Sequence, residues 1–411
     1  MTAADSALTP VPMHAGVVST PTIAIVGAGL SGLVCARILQ INGIAATVYE
    51  ADDSPAARQQ GGSLDIHTDT GQVALRAAGL YDEFLRNTHV GGEALRVLDK
   101  TARVFVDEAE PEGGNGRPEI DRKVLRQLFV DSLEPGSILW GSKVVAVRAA
   151  ETGHELEFAD GKRVGADLVV GADGAWSKVR SLLTPVKPGY TGITLVEIRL
   201  SDAATRHPDA LAITGEGSLF ALSDNRYIGG HGGDQIALGC GMRVPEDWVT
   251  ASGIDWENPS IARDALLREF ADWATPLTDL IRDCDDTIWP RPIYALPVGH
   301  RWDPVPGVTL IGDAAHLMSP FAGEGANLAM IDGADLAKAL IANADRAAAI
   351  AEYEKRMFPR GAKSAKASAG SLDTMFNDEA PRKLVTFFNR MILLARLVRP
   401  IQRLFAAKAV S

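Results

Sequence analysis

Cysteine is scarce: the 411 residues hold three, Cys35, Cys240 and Cys284, odd in number and widely separated. This excludes a disulfide framework and points to a reducing compartment, with the thiols acting as small buried hydrophobes. No Cys or His pair has ligand spacing, so no metal is expected. Positive charge is also in deficit. Lys and Arg total 41 against 52 Asp and Glu, a net charge of -11, which would repel the phosphates of nucleic acid. Uncharged apolar runs stay short of the ~18–20 residues a spanning helix needs, so no transmembrane segment is expected. Residues 1–20 lack a basic n-region and an apolar h-region, and read as a mobile tail rather than a signal peptide. A cytoplasmic location follows by default.

What is present suits two buried cores, with 46% hydrophobic and 23% charged residues. The β-branched run Thr22–Val26 predicts a buried parallel strand. It leads into Gly27-Ala28-Gly29-Leu30-Ser31-Gly32, then a helix from Leu33 to Asn42 closed by Gly43, then a strand Ala46–Tyr49 ending at Glu50. A lone G-x-G-x-x-G is a weak signal, but here it lies in its strand–turn–helix–strand context. Gly27 permits the turn, Gly29 lets backbone approach a pyrophosphate, and Gly32 allows helix and strand to pack closely. Amides at the start of the helix then face the anion, and Glu50 can accept from ribose hydroxyls. An adenine dinucleotide is the reading, with FAD and NAD both open at this point.

The carboxyl-terminal half separates them. Val308–Ile311 predicts another strand of the sheet, followed by Gly312-Asp313 and by Pro320-Phe321-Ala322-Gly323-Glu324-Gly325-Ala326-Asn327 before a long helix. An Asp at a strand end can hold polyol hydroxyls, and a Gly-rich turn opening a helix aims free amides at one spot. In a flavoenzyme that spot is the ring edge where negative charge collects on reduction. A second G-x-G-x-x-G is missing, which argues against enzymes built from two dinucleotide folds.

Three motifs then resemble the class A flavoprotein monooxygenases, the para-hydroxybenzoate hydroxylase superfamily: Gly27/Gly29/Gly32 with Glu50, Asp167–Arg180, and Gly312–Asn327. The stretches Arg58–His67, Pro118–Arg126 and Tyr353–Phe358 are further similar to the tetracycline-inactivating flavin monooxygenases. The resemblance implies that Asp65, Arg122 and Asp313 contact FAD and that Arg58 helps receive NADPH. It also implies that Asp173 lies where the two cofactors meet. Arg180 is a functional residue or a salt-bridge partner. His67 lies near the ring or is an ordinary loop histidine, and His316 is read as structural. Those enzymes present a Gln to the antibiotic where Glu197 stands here, and Phe220, Tyr227, His231, Met242 and Phe321 complete the expected substrate lining.

The expected architecture is α/β, with a Rossmann-like FAD domain in three segments (21–75, 107–184 and 300–360). An antiparallel substrate domain is inserted (76–106 and 185–299), and a bridging helix follows (361–411). Apolar residues at three- and four-residue spacing in Pro381–Ser411 predict a helix broken near Pro400. It either packs across both domains or lies on a membrane surface. The resemblance implies a monomer that consumes NADPH and dioxygen and hydroxylates an electron-rich cyclic substrate, through a flavin C4a-hydroperoxide and without a catalytic side chain. The rival readings are an oxidase or dehydrogenase on the same fold, and a non-catalytic protein that keeps it.

Overall fold

In the computed structural model, residues 22–57, 62–88, 94–109 and 116–393 are described. The expected tail, Arg58 and the Pro400 break lie outside them. Ile23–Val26 is the central strand of a five-stranded parallel sheet. Leu168–Gly171 and Val308–Leu310 lie on one side of it, Thr47–Tyr49 and Ile138–Leu139 on the other. All four residues of the central strand are buried. Its core neighbours include helix residues such as Leu33 and Leu336, and also Val147, Leu156 and Phe158 of a three-stranded antiparallel sheet (Val144–Ala149, His154–Phe158, Arg163–Ala166). The strand is therefore buried throughout and uniformly apolar rather than alternating.

The first helix begins at Leu30, three residues before the expected start, and ends at Ile41. Gly29 is extended and serves as N-cap, so the glycine loop feeds directly into the first turn. A second long helix, Gly325–Ala342, packs beside it. The two approach so closely at Gly333 that an added Cβ would fall 2.3 Å from the Ser31 carbonyl oxygen. Helix Arg346–Met375 closes this layer. From it Tyr353 donates to the Leu310 carbonyl at 2.8 Å. Buried Glu354 accepts from Trp302 and Thr309 at 2.9 and 2.8 Å.

The second body is a seven-stranded sheet in the order Trp289–Ala295, Gly189–Leu200, Ile236–Arg243, Arg226–His231, Ser218–Ser223, Leu95–Leu98, Val104–Glu108. It is antiparallel except where Leu95–Leu98 pairs in parallel with Ser218–Ser223. Its rear face, with Val196, Leu238, Cys240 and Met242, packs on Leu266, Leu277 and Ile281 of two covering helices. Its front face, with Leu195, Leu222 and Tyr227, meets Phe376 and Leu384 of the carboxyl-terminal segment. All three cysteines are buried and free.

Three expectations are corrected. Met242 points to the rear core rather than to a substrate pocket, because Ile236, Leu238, Cys240 and Met242 share one face of their strand. Residues 76–86 do not join the second sheet, since Ala78 and Phe84 pack into the core under the parallel sheet. The boundary at 360 falls inside a helix that continues through Pro359 to Met375. Beyond it, residues 382–393 are helical.

Candidate functional site

Side-chain caps close the start of several helices. Asp121 accepts from Lys123 and Val124, Asn258 from Ser260 and Ile261, and Asp345 from Ala347. The two Gly-rich turns differ. Neither Gly29 nor Glu324, the N-caps of Leu30–Ile41 and Gly325–Ala342, supplies a capping bond. Among the described residues, the amides of Leu30, Ser31 and Gly32, and those of Gly325, Ala326 and Asn327, have no backbone partner either. Open helix starts present partial positive charge and N–H donors. Two of them, on helices packed together, make a receptor for an extended ligand with an anion at one end.

The first turn is shaped for close approach. Gly27 has φ +107, and an added Cβ there would sit 2.3 Å from the Ala172 carbonyl oxygen, while one at Gly32 would sit 2.2 Å from the Gly27 oxygen. A Cβ at Gly29 would meet nothing within 4 Å, so that space is left for something other than protein. Buried Glu50 accepts from the Ala28 amide at 2.6 Å and the Asp52 amide at 3.0 Å, which fixes its carboxylate beside the turn. Arg126 donates to the Ala28 and Pro55 carbonyls, both at 3.0 Å. Sequence reasoning assigned it no role, although it follows Arg122 by one helical turn on Arg122–Ser132.

The second turn is tied to the first. Gly312 has φ +62, and a Cβ there would crowd the Ser31 hydroxyl at 2.9 Å. Its amide donates to Asp332 at 3.0 Å. The fully buried Asp332 also meets His316 Nε2 at 2.5 Å and Arg360 at 2.9 Å. Burial favours neutral His316, but the Asp332 charge and hydrogen bond outweigh it and hold the imidazole pKa above its ordinary value. Burial likewise works to raise the Asp332 pKa, and His316 and Arg360 hold it low. His316 and Asp332 thus pair beneath the loop, and Asp313 is exposed at its surface.

Arg180 is buried and makes no ion pair among the described residues. Its guanidinium donates to the carbonyls of Ala314, Ala175, Asp313 and Gly174 at 2.8, 2.8, 3.1 and 3.3 Å, clamping the Gly174 loop to the Asp313 loop. Asp173 accepts from Ser177 at 2.5 Å and from the Lys178 amide at 2.6 Å, so it orders its own turn. Its burial raises its pKa. Asn327 is buried too, bonded to the Asp65 carbonyl at 2.8 Å and to the His67 amide at 2.9 Å. Asp65 in turn meets His67 at 3.0 Å and Arg117 at 3.8 Å. Those partners overcome its burial and lower its pKa. Pro320 and Phe321 form a short turn ending at Gly323, φ +67.

The facing wall comes from the front of the seven-stranded sheet. Glu197 accepts from Arg291 at 2.8 Å. Burial holds the Arg122 guanidinium below its usual pKa, and the charges acting on it are Asp313, Arg291 and Glu197 in that order. Arg122 thus stands between the loop of Asp313 and the sheet. Phe220, Tyr227, Phe321 and Phe376 form one apolar cluster, with Phe321 and Phe376 ring centres 5.3 Å apart. His231 is set at its margin, 3.2 Å from Glu119. Arg291 and Phe376 were absent from the expected lining. Among the described residues no group could hold a metal ion, and no helix is long and apolar enough to cross a membrane.

The open helix starts, the unobstructed backbone at Gly29 and the fixed Glu50 fit an FAD. Comparison with known proteins agrees. The family model described as FAD binding domain matches residues 19–211 and 305–368. Monooxygenase asqM of Emericella nidulans is 32% identical over 374 residues, 77% of this chain and 83% of that protein. Klebsiella pneumoniae HpxO, solved with FAD and uric acid, superposes with a TM-score of 0.74 at 21% identity, covering 90% of this chain and 92% of that one. Tetracycline destructase Tet(55) gives 0.70 at 18% identity, covering 91% and 95%. The two solved structures share the fold, and the sequence relationship carries the chemistry: the chain belongs to the FAD binding domain family and is an FAD-dependent monooxygenase.

Proposed function

We propose that the protein consumes NADPH and dioxygen to hydroxylate an electron-rich aromatic or enolic ring, tetracycline-type polycycles included. It does so as a cytoplasmic monomer. The observation that carries this reading is a pair of uncapped helix starts joined to the aromatic front of the second sheet through Phe321 and through Arg122, which the charges of Asp313, Arg291 and Glu197 all reach. Bound FAD supplies the redox chemistry, accepting reducing equivalents from NADPH and activating dioxygen.

The chain's own residues bind, orient and exclude water. Amides of Leu30, Ser31 and Gly32 receive the pyrophosphate, and Glu50 takes the adenosine ribose. Asp313 and Arg122 hold the chain between pyrophosphate and ring, with Asp65 and Asp173 ordering the loops beside it. Amides of Gly325, Ala326 and Asn327 face the ring edge that becomes negative on reduction. Phe220, Tyr227 and Phe321 present an apolar surface to the substrate, and Glu197 accepts from its hydroxyl groups. Arg58, proposed to receive NADPH, lies outside the described residues.

The test is steady-state NADPH oxidation by the FAD-loaded protein, with product mass followed across phenols, quinolones and tetracycline. Stimulated oxidation with a product heavier by one oxygen atom is expected for at least one ring class. Oxidation that yields peroxide alone with every compound would overturn the hydroxylase reading.

A further inference from the structure

The carboxyl-terminal helix, residues 382–393, has two faces. Leu384, Val385, Phe388 and Ile392 pack into the front cluster of the substrate sheet. The other side leaves Phe387 and Met391 53% and 51% exposed, one turn apart, with Leu393 60% exposed beside them. In sequence the same three- and four-residue spacing continues through Leu394, Val398, Ile401 and Phe405. Charge is as uneven as hydropathy. Residues 381–411 carry seven Lys and Arg and no carboxylate, while the preceding 380 carry 34 cations against 52 carboxylates.

A soluble surface does not ordinarily present large apolar side chains in a row within a purely cationic segment. Anionic lipid fits both features, because apolar residues enter the headgroup region while Lys and Arg meet phosphates. We propose that this face docks the enzyme on an anionic lipid surface, with Phe387 and Met391 inserted and exposed Arg382 and Arg390 of the same helix available to the headgroups. A second copy of the chain fits less well. Pairing two such segments would oppose seven cations to seven with no carboxylate to bridge them, and Pro400 is unsuited to a continuous helical seam. Nucleic acid would meet the repulsion of the remaining body and would leave the apolar row unused.

The experiment is co-sedimentation of full-length, FAD-loaded protein with vesicles of phosphatidylcholine, with and without phosphatidylserine. Binding is expected only when phosphatidylserine is present, and it should be lost as salt is raised. Phe387→Ser with Met391→Ser changes exposed positions, so FAD content should be kept while partitioning falls on the order of 30-fold. Arg390→Glu with Arg396→Glu and Arg399→Glu should lower it by on the order of 100-fold or more. No binding to either vesicle, or equal binding to both, overturns the proposal. So does a dimer in analytical ultracentrifugation that the Phe387/Met391 variant dissociates, which would assign the face to a second copy.

Discussion

The Asn327 amide nitrogen lies 2.8 Å from the Asp65 carbonyl oxygen, joining parts of the chain 262 residues apart. Its oxygen accepts from the His67 amide at 2.9 Å. One buried side chain therefore fixes both the start of Gly325–Ala342 and the strand that carries Asp65. Asn327→Ala leaves a buried N–H and a buried carbonyl without partners, and should cost about 1–3 kcal/mol of stability. Urea unfolding should show that loss, and flavin fluorescence titration should show weaker FAD binding.

The glycines of the first turn separate fold from ligand. An added methyl at Gly32 collides with the Gly27 oxygen, whereas one at Gly29 meets only open space. Gly32→Ala should lower the melting temperature of the apoprotein. Gly29→Ala should leave the apoprotein as stable as the parent yet weaken FAD by about tenfold or more, or ~1.4 kcal/mol. Equal FAD affinity in the parent and Gly29→Ala would remove the pyrophosphate from this turn.

Arg180 satisfies four backbone carbonyls and no carboxylate. Arg180→Leu should destabilise by about 3 kcal/mol or more. Arg180→Lys should recover only part of that, because an ammonium lacks the planar fork that reaches several acceptors together. Chemical denaturation of the three proteins provides the comparison.

The His316–Asp332 pair predicts a two-sided pH dependence. The folded pKa of His316 is raised above 6.5, so its contribution is complete below that value and is lost as pH rises through the folded pKa. The folded pKa of Asp332 is depressed below 3.8, so its contribution is present above that value and is lost as pH falls through the folded pKa. Stability measured against pH should show a plateau between the two ordinary values. His316→Gln should remove the alkaline decline attributable to this pair and shrink the acid one to the part that Arg360 sustains.

The cofactor half of the fold was legible because backbone chemistry dictated it. Gly27 and Gly32 have no substitutes, because an added Cβ would lie 2.3 and 2.2 Å from a carbonyl oxygen, and the buried strands carry uninterrupted apolar runs. The substrate half was less legible. Glu197 shares a face of its strand with Leu195, but its partner Arg291 lies on a strand 94 residues away. Met242 could have been placed by alternation with Ile236, Leu238 and Cys240. The facing positions of that strand are Ala237, Gly239 and Gly241, too small to mark a pocket in sequence. Phe376 rests on Gly241, where a Cβ would lie 2.8 Å from its ring. Arg180 was undecidable for another reason: an arginine that binds carbonyls leaves no pattern among charged residues.

The most direct test of the central claim uses isotopically heavy dioxygen, NADPH and FAD-loaded protein with whichever ring compound best stimulates NADPH oxidation. The account predicts one heavy oxygen atom in the product for each NADPH consumed, with the other in water. Heavy oxygen recovered only as peroxide, with the ring compound unchanged, would contradict it.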